Sequence, residues 1–262
     1  MKEPRSDLHG SPGMSGHRAA RGWHWLRHNV ELSSLLFLAL LVATGWAFAE
    51  LADEVIEGAT ESLDTDLLLL LRTPGDLADP LGPPWLEEMG RDLTALGGVI
   101  VLTLATLATA GFFLLRRQIG SMLFLIAAVG GGILISTVAK HLFDRARPDL
   151  VPHGSIVHTA SFPSGHSMMA AVAYLTLGVL IARVLAERRL KVYVLSVAAT
   201  ITVLVGVSRV YLGVHWPTDV LAGWLAGAGW AMICLLVARI LARRGHVEPE
   251  HDEDAPQTGP EP

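Results

Sequence analysis

Three short stretches of the chain carry side chains suited to one kind of chemistry. The first is Lys140-His-Leu-Phe-Asp-Arg-Ala-Arg147-Pro148, with two cations seven residues apart. On a continuous helix that spacing is two turns, so both would point the same way, and Pro148 disfavours continuing the helix. Taken alone, the pair is better read as two interfacial cations snorkelling independently. The second stretch is Phe162-Pro163-Ser164-Gly165-His166. Ser164 is a good helix N-cap, Gly165 allows backbone to approach a ligand, and the free amides of a helix N-terminus attract phosphate. An ordinary capped helix start looks the same. The third is Ser208-Arg209-Val-Tyr-Leu-Gly-Val-His215-Trp216-Pro217-Thr218-Asp219. Pro217 suits the first turn of a helix, which puts Asp219 in that turn and His215 just before it. A carboxylate there can accept from one ring nitrogen of His215, leaving the other free as nucleophile or base, although such a pair can also merely tie a loop to a helix.

Together the three stretches offer cations (Lys140, Arg147, Arg209), neutral donors (Ser164, Gly165) and two histidines. Phosphoryl transfer needs these parts, because its catalysis lies mostly in positioning and in stabilising charge on the equatorial oxygens.

The elements that must bring these stretches together are legible in the charge distribution. Of 262 residues, 51% are hydrophobic, 6% aromatic and only 17% charged, against roughly 25% charged in an average soluble domain. Runs free of Asp, Glu, Lys and Arg cover 32–49, 93–115, 118–139, 167–182, 192–208 and 220–238. About 20 apolar residues cross a hydrocarbon core of about 30 Å. Six of these runs therefore read as membrane spans, the two shortest extended by snorkelling or interfacial flanks such as Arg183, Lys191 and Tyr211. A soluble globular domain, a disordered chain and a water-soluble nucleic-acid binder are excluded. Cys234 is the only cysteine, so no intramolecular disulfide exists.

Basic residues are retained on the cytoplasmic side. Fourteen of the 20 lie in residues 1–31, the Arg116-Arg117 turn, 183–191 and the tail. Both termini are therefore expected in the cytoplasm of an inner-membrane, multi-pass protein. The six exceptions are Arg72, Arg91, Lys140, Arg145, Arg147 and Arg209, and cations on the disfavoured side call for an anion to bind. With alternating spans, all three motif stretches emerge on the outer face.

Residues 1–31 read as a basic cytoplasmic segment, 32–240 as the membrane domain and 241–262 as a disordered acidic tail. Ala47-Phe48-Ala49 resembles a signal-peptidase site, but the preceding segments are longer than a signal peptide's, which favours an uncleaved first span. In the polar stretch 50–92, the run Leu67–Leu71 fits a short helix, either lying on the outer leaflet or packed on the bundle. Asp144 could pair with Lys140, and His141 faces elsewhere on that helix. His153 and His158 read as solvated, Trp216 as an interfacial anchor, and Gly223-x3-Gly227 and Gly130-Gly131-Gly132 as helix-packing positions.

The pattern Lys-x6-Arg-Pro, Pro-Ser-Gly-His, Ser-Arg-x5-His-x3-Asp resembles the complete signature of the type 2 phosphatidic acid phosphatase superfamily. That group includes bacterial undecaprenyl pyrophosphate and phosphatidylglycerophosphate phosphatases, and the resemblance covers about residues 32–240. It implies an all-α, six-transmembrane-helix bundle with its active site at the extracytoplasmic helix ends. It also implies roles. His215 would attack phosphorus to give a phosphohistidine, Asp219 would orient it and His166 would protonate the leaving group. Lys140, Arg147, Ser164, Gly165 and Arg209 would hold the phosphate. No metal or other cofactor is expected, and the partners would be a membrane lipid phosphate and the bilayer, with no nucleic acid. Soluble haloperoxidases with the same anion-binding signature are disfavoured by the six spans. A lipid-dependent phosphotransferase differs only in its acceptor. A six-span anion transporter predicts ionisable residues in mid-span, whereas here they cluster at one face.

Overall fold

The structure, a computed structural model, describes residues 32–149 and 160–243. The N-terminal lead, most of the acidic tail, His153 and His158 lie outside the described residues. Eight helices dominate: α1 (Leu32–Ile56), α2 (Glu61–Leu69), α3 (Pro84–Ala95), α4 (Val99–Leu115), α5 (Ile119–Phe143), α6 (Gly165–Val184), α7 (Arg188–Tyr211) and α8 (Pro217–Arg243). A small antiparallel hairpin, β1 (Arg72–Thr73) and β2 (Asp76–Pro80), joins α2 to α3 through a turn in which Gly75 has φ +92°. The chain divides into two units after Val42; the described residues of the first are the opening turns of α1, and the second holds all the site residues.

Five helices are each long and apolar enough to cross a membrane: α1 from Leu35, α5, α6, α7 and α8 up to Leu241. The sixth expected span is broken. The charge-free run 93–115 reads as one helix, but α3 and α4 meet at 48° across residues 96–98. Packing explains the break. A Cβ on Gly97 would lie 2.5 Å from a methyl of Val205 and 3.1 Å from the carbonyl oxygen of His166, so α6 and α7 press directly on the chain there. The Leu96 carbonyl, freed by the break, accepts from the hydroxyl of half-buried Tyr174 at 2.8 Å, as an orphaned backbone group in a membrane must.

Tyr174 lies in a π-helical turn, residues 171–175, within α6. α6 is the most enclosed of the spans, wedged between α7 and α8. Glycines set that wedge: a Cβ on Gly227 would lie 2.6 Å from the Met168 carbonyl oxygen, and one on Gly223 2.8 Å from that of Ser164. Gly131 and Gly132 likewise accommodate Trp230 and Val172, whereas Gly130 faces open space. Phe143 and Phe162, 4.9 Å apart, and Phe48 form an aromatic cluster that joins the ends of α1, α5 and α6.

In the 50–92 stretch, the leucine run does not form a helix of its own on a leaflet. α2 takes in Leu67–Leu69 and ends before Leu70 and Leu71; Leu68 and Asp64 are buried and the helix packs against α8.

Candidate active site

α5 and α7 end, and α6 and α8 begin, at the same end of the bundle, so the three motif stretches converge. α5 stops at Phe143, where Asp144 adopts φ +36°, and residues 144–149 continue without helix. Lys140 and Arg147 are therefore not two turns of one helix, as their spacing suggests. They meet because the chain turns back, and both line one cavity. Nor does Asp144 pair with Lys140, whose ammonium donates to the Ala160 carbonyl at 3.0 Å. Gly165 gives Lys140 room: a Cβ at that position would sit 3.2 Å from its Cε.

The cavity holds about 760 Å³. Its polar end is lined by Lys140, Arg147, Gly165, His166, Arg209 and His215. From there it runs between α4 and α5 past Ser136, Ile133, Val129 and Ile126 on one side and Leu102, Thr106 and Leu107 on the other. Lys140 and Ile126 are 14 residues apart on α5, about 20 Å of helix.

His215 is 1% exposed, held in the loop between α7 and α8. Its Nε2 lies 3.2 Å from a guanidinium nitrogen of Arg147, which also donates to the Val214 carbonyl at 2.8 Å. Arginine only donates, so Nε2 carries the lone pair and Nδ1 the proton. Nδ1 faces Oδ2 of Asp219 at 3.3 Å. Burial lowers the His215 pKa to about 4, although Asp219 opposes the shift, with Arg209 and Arg147 adding to it. Burial also lowers that of Arg147, with Asp219 again opposing. Because the unfolded chain would take up a proton on this ring near pH 6.5 and the folded one only near 4, His215 costs stability as pH falls through that window and costs none above it. In free enzyme, ¹⁵N chemical shifts are expected to show His215 neutral with the proton on Nδ1 from pH 7 to 5, protonating only near pH 4. A cationic ring at pH 6 would contradict this arrangement.

Asp219 is completely buried and fully used. Oδ2 accepts from the Trp216 amide at 2.9 Å and from the Ser161 hydroxyl, and Oδ1 accepts from Arg145 at 2.7 Å. Arg209 reaches the cavity from the last turn of α7, steadied by Thr94 of α3 at 3.0 Å, while its buried Nε has no partner among the described residues. His166 lines the cavity from the first turn of α6. Ser164 does not; fully buried, its oxygen caps α6 by accepting from the amide and hydroxyl of Ser167.

Four of the six cations on the disfavoured side thus gather here: Lys140, Arg145, Arg147 and Arg209. Arg72 instead donates to the Tyr211 carbonyl, and Arg91 pairs with Glu87. Trp216 donates from its indole to the Ala146 carbonyl. Asp64, Arg145, Ser161, Thr218 and Thr94 were not predicted as parts of the site. Arg145 had a signal, its position among the misplaced cations, and Ser161 adjoins a motif. Asp64 and Thr94 had none, because their partners lie 81 to 154 residues away.

The model of the PAP2 superfamily matches residues 121–242. Phosphatidylglycerophosphatase B of Bacillus subtilis (strain 168) is 36% identical over 199 residues, covering 74% of this chain and 86% of that protein. Undecaprenyl-diphosphatase of Sulfolobus acidocaldarius is 32% identical over 117 residues, 43% of this chain and 52% of that one. The crystal structure of a transmembrane PAP2-type phosphatidylglycerolphosphate phosphatase from Bacillus subtilis superposes with a TM-score of 0.67 at 32% identity, covering 78% of this chain and 98% of that one.

Proposed function

This chain belongs to the PAP2 superfamily, and on that premise we propose that it is an integral membrane phosphatase that hydrolyses a phosphate monoester or diphosphate of a membrane lipid through a phosphohistidine on His215. The substrates to which the reading extends are phosphatidylglycerophosphate, undecaprenyl pyrophosphate and phosphatidic acid. The distribution of basic residues supports a site on the outer face of the cytoplasmic membrane with both termini inside.

One observation carries the reading: a single cavity has three cations and two histidines at one end and an apolar channel between two membrane helices at the other. A phosphate fits the first part and a hydrocarbon tail the second. In the first step, Nε2 of His215 forms a bond to phosphorus as the bond to the leaving oxygen breaks, and His166 gives that oxygen a proton. Water then attacks phosphorus, yielding its proton to His166, and the P–N bond breaks with its electrons returning to Nε2. Lys140, Arg147 and Arg209 hold the equatorial oxygens, with Gly165 at the helix start beside them and Ser164 acting only as the cap of that helix, and the three cations supply the charge that a metal supplies in other phosphatases.

Purified protein in detergent with chelator present is expected to release inorganic phosphate from at least one of the three lipids. No release from any of them, or release only on adding a divalent cation, would overturn the proposal. Transfer of the phosphoryl group to an added alcohol without net hydrolysis would instead identify a phosphotransferase.

A further inference from the structure

α2 reaches the site through one buried carboxylate. Asp64 is 1% exposed, yet lies on a short helix between α1 and the β1–β2 hairpin. Its Oδ1 accepts from the Thr218 amide at 2.9 Å, one of the free donors at the start of α8. Its Oδ2 accepts from the Thr218 hydroxyl at 2.6 Å and from Arg145 at 2.7 Å. Arg145 uses its other terminal nitrogen on Oδ1 of Asp219, also at 2.7 Å, and on Thr218 Oγ1 at 2.8 Å. A carboxylate distant in sequence thus caps the helix that carries Asp219 and shares its guanidinium.

Two consequences follow, one geometric and one electrostatic. A helix N-terminus favours a carboxylate, and α8 has two, Asp64 from outside and Asp219 from within its first turn. Fixing Thr218 fixes Asp219, its neighbour, and so the ring of His215. The charge balance is the stronger point. Arg145 alone would neutralise Asp219, and a neutralised partner gives a histidine little help as its ring gains positive charge on bonding to phosphorus. With Asp64, the three groups sum to one negative charge, in a site too buried for water to screen them.

We infer that Asp64 and Arg145 are positioning residues for His215, Arg145 holding Asp219 in place and Asp64 cancelling the charge of Arg145 so that Asp219 still acts as an anion. The inference rests on His215 being the nucleophile. Neither residue faces the cavity, so neither binds substrate.

The test compares D64N, R145Q and the double variant with wild-type and H215A protein on the same lipid phosphate, counting only monodisperse protein with an unchanged unfolding midpoint. D64N keeps an acceptor for the Thr218 amide and removes the charge, together with the acceptor that the Thr218 hydroxyl and Arg145 share. Its kcat is expected to fall about ten- to a hundredfold, the scale on which partners behind a ligating or reacting histidine act, with KM within about twofold. R145Q leaves two buried carboxylates unneutralised, so removing Asp64's charge as well should recover activity, and the double variant should equal or exceed R145Q. A purely architectural role would lower the amount of folded protein and give losses that multiply. D64N within twofold of wild type, or a double variant tenfold below R145Q, would overturn the inference. If D64N does not fold, the comparison of R145Q with the double variant decides it. If H215A is as active as wild type, the underlying reading fails instead.

Discussion

Replacing His215 with alanine is expected to lower kcat by about 10⁴-fold or more, the scale on which single members of a nucleophilic unit act, while KM moves little. The cations that hold phosphate belong to other residues: Lys140 on α5, Arg147 in the segment after it, and Arg209 on α7. Removing the imidazole leaves those charges in place and frees the Arg147 nitrogen that faced Nε2 at 3.2 Å. Ground-state binding is thus preserved while the atom that bonds to phosphorus is lost, so the damage falls on the transition state. Brief mixing of wild-type protein with ³²P-labelled lipid phosphate, followed by alkaline quench, should leave label on His215, and H215A should leave none. Wild-type turnover in H215A, or label found on another residue, would remove His215 from the mechanism. No transporter would show this label, which makes the experiment a direct discriminator between the two classes.

How much of this was legible in the sequence depends on the reach of each interaction. The spans were legible because a bilayer imposes its own thickness on them, and a count of charge-free residues reads that constraint directly. The break at Gly97 was not, because its cause is a methyl of Val205 more than a hundred residues away. Within the site, His215 and Asp219 are four residues apart across the start of α8, so their relation is local and readable. The seven-residue spacing of Lys140 and Arg147 suggests a helix through Asp144 that would align them, whereas the helix ends there and a turn brings them to the same cavity. Ser164 suits both a phosphate donor and a helix cap by type and position, and its oxygen is engaged in the second. Asp64 shows the limit most plainly. Its sequence surroundings, Glu61-Ser-Leu-Asp64-Thr-Asp66, hold three carboxylates within six residues, and nothing local distinguishes the one buried carboxylate from the two exposed ones.

Replacing His166 with alanine is expected to separate the two halves of the reaction. His166 stands in the first turn of α6, beside Gly165 and on the same cavity as His215. Its proposed proton matters in proportion to the basicity of the leaving oxygen. For a phosphate monoester of an alcohol the departing alkoxide needs that proton, and its loss should cost about 10²- to 10⁴-fold in the first step, the usual range for a positioned acid. A diphosphate leaves as a lipid phosphate, a far weaker base, and should suffer less. An aryl ester such as p-nitrophenyl phosphate leaves as a stabilised anion, and its first turnover should stay within about tenfold of wild type. The second half behaves differently, because water attacking the phosphohistidine needs a base whichever leaving group has gone. H166A with the aryl ester should therefore show a fast burst of nitrophenol followed by slow turnover, with phosphate accumulating on His215. Stopped-flow absorbance and labelled-phosphate trapping on the same samples give both readouts. Equal losses for alkyl and aryl esters in the first turnover would mean that His166 binds or orients phosphate without donating a proton. A burst with no accumulated phosphohistidine would mean that the covalent intermediate itself is wrong.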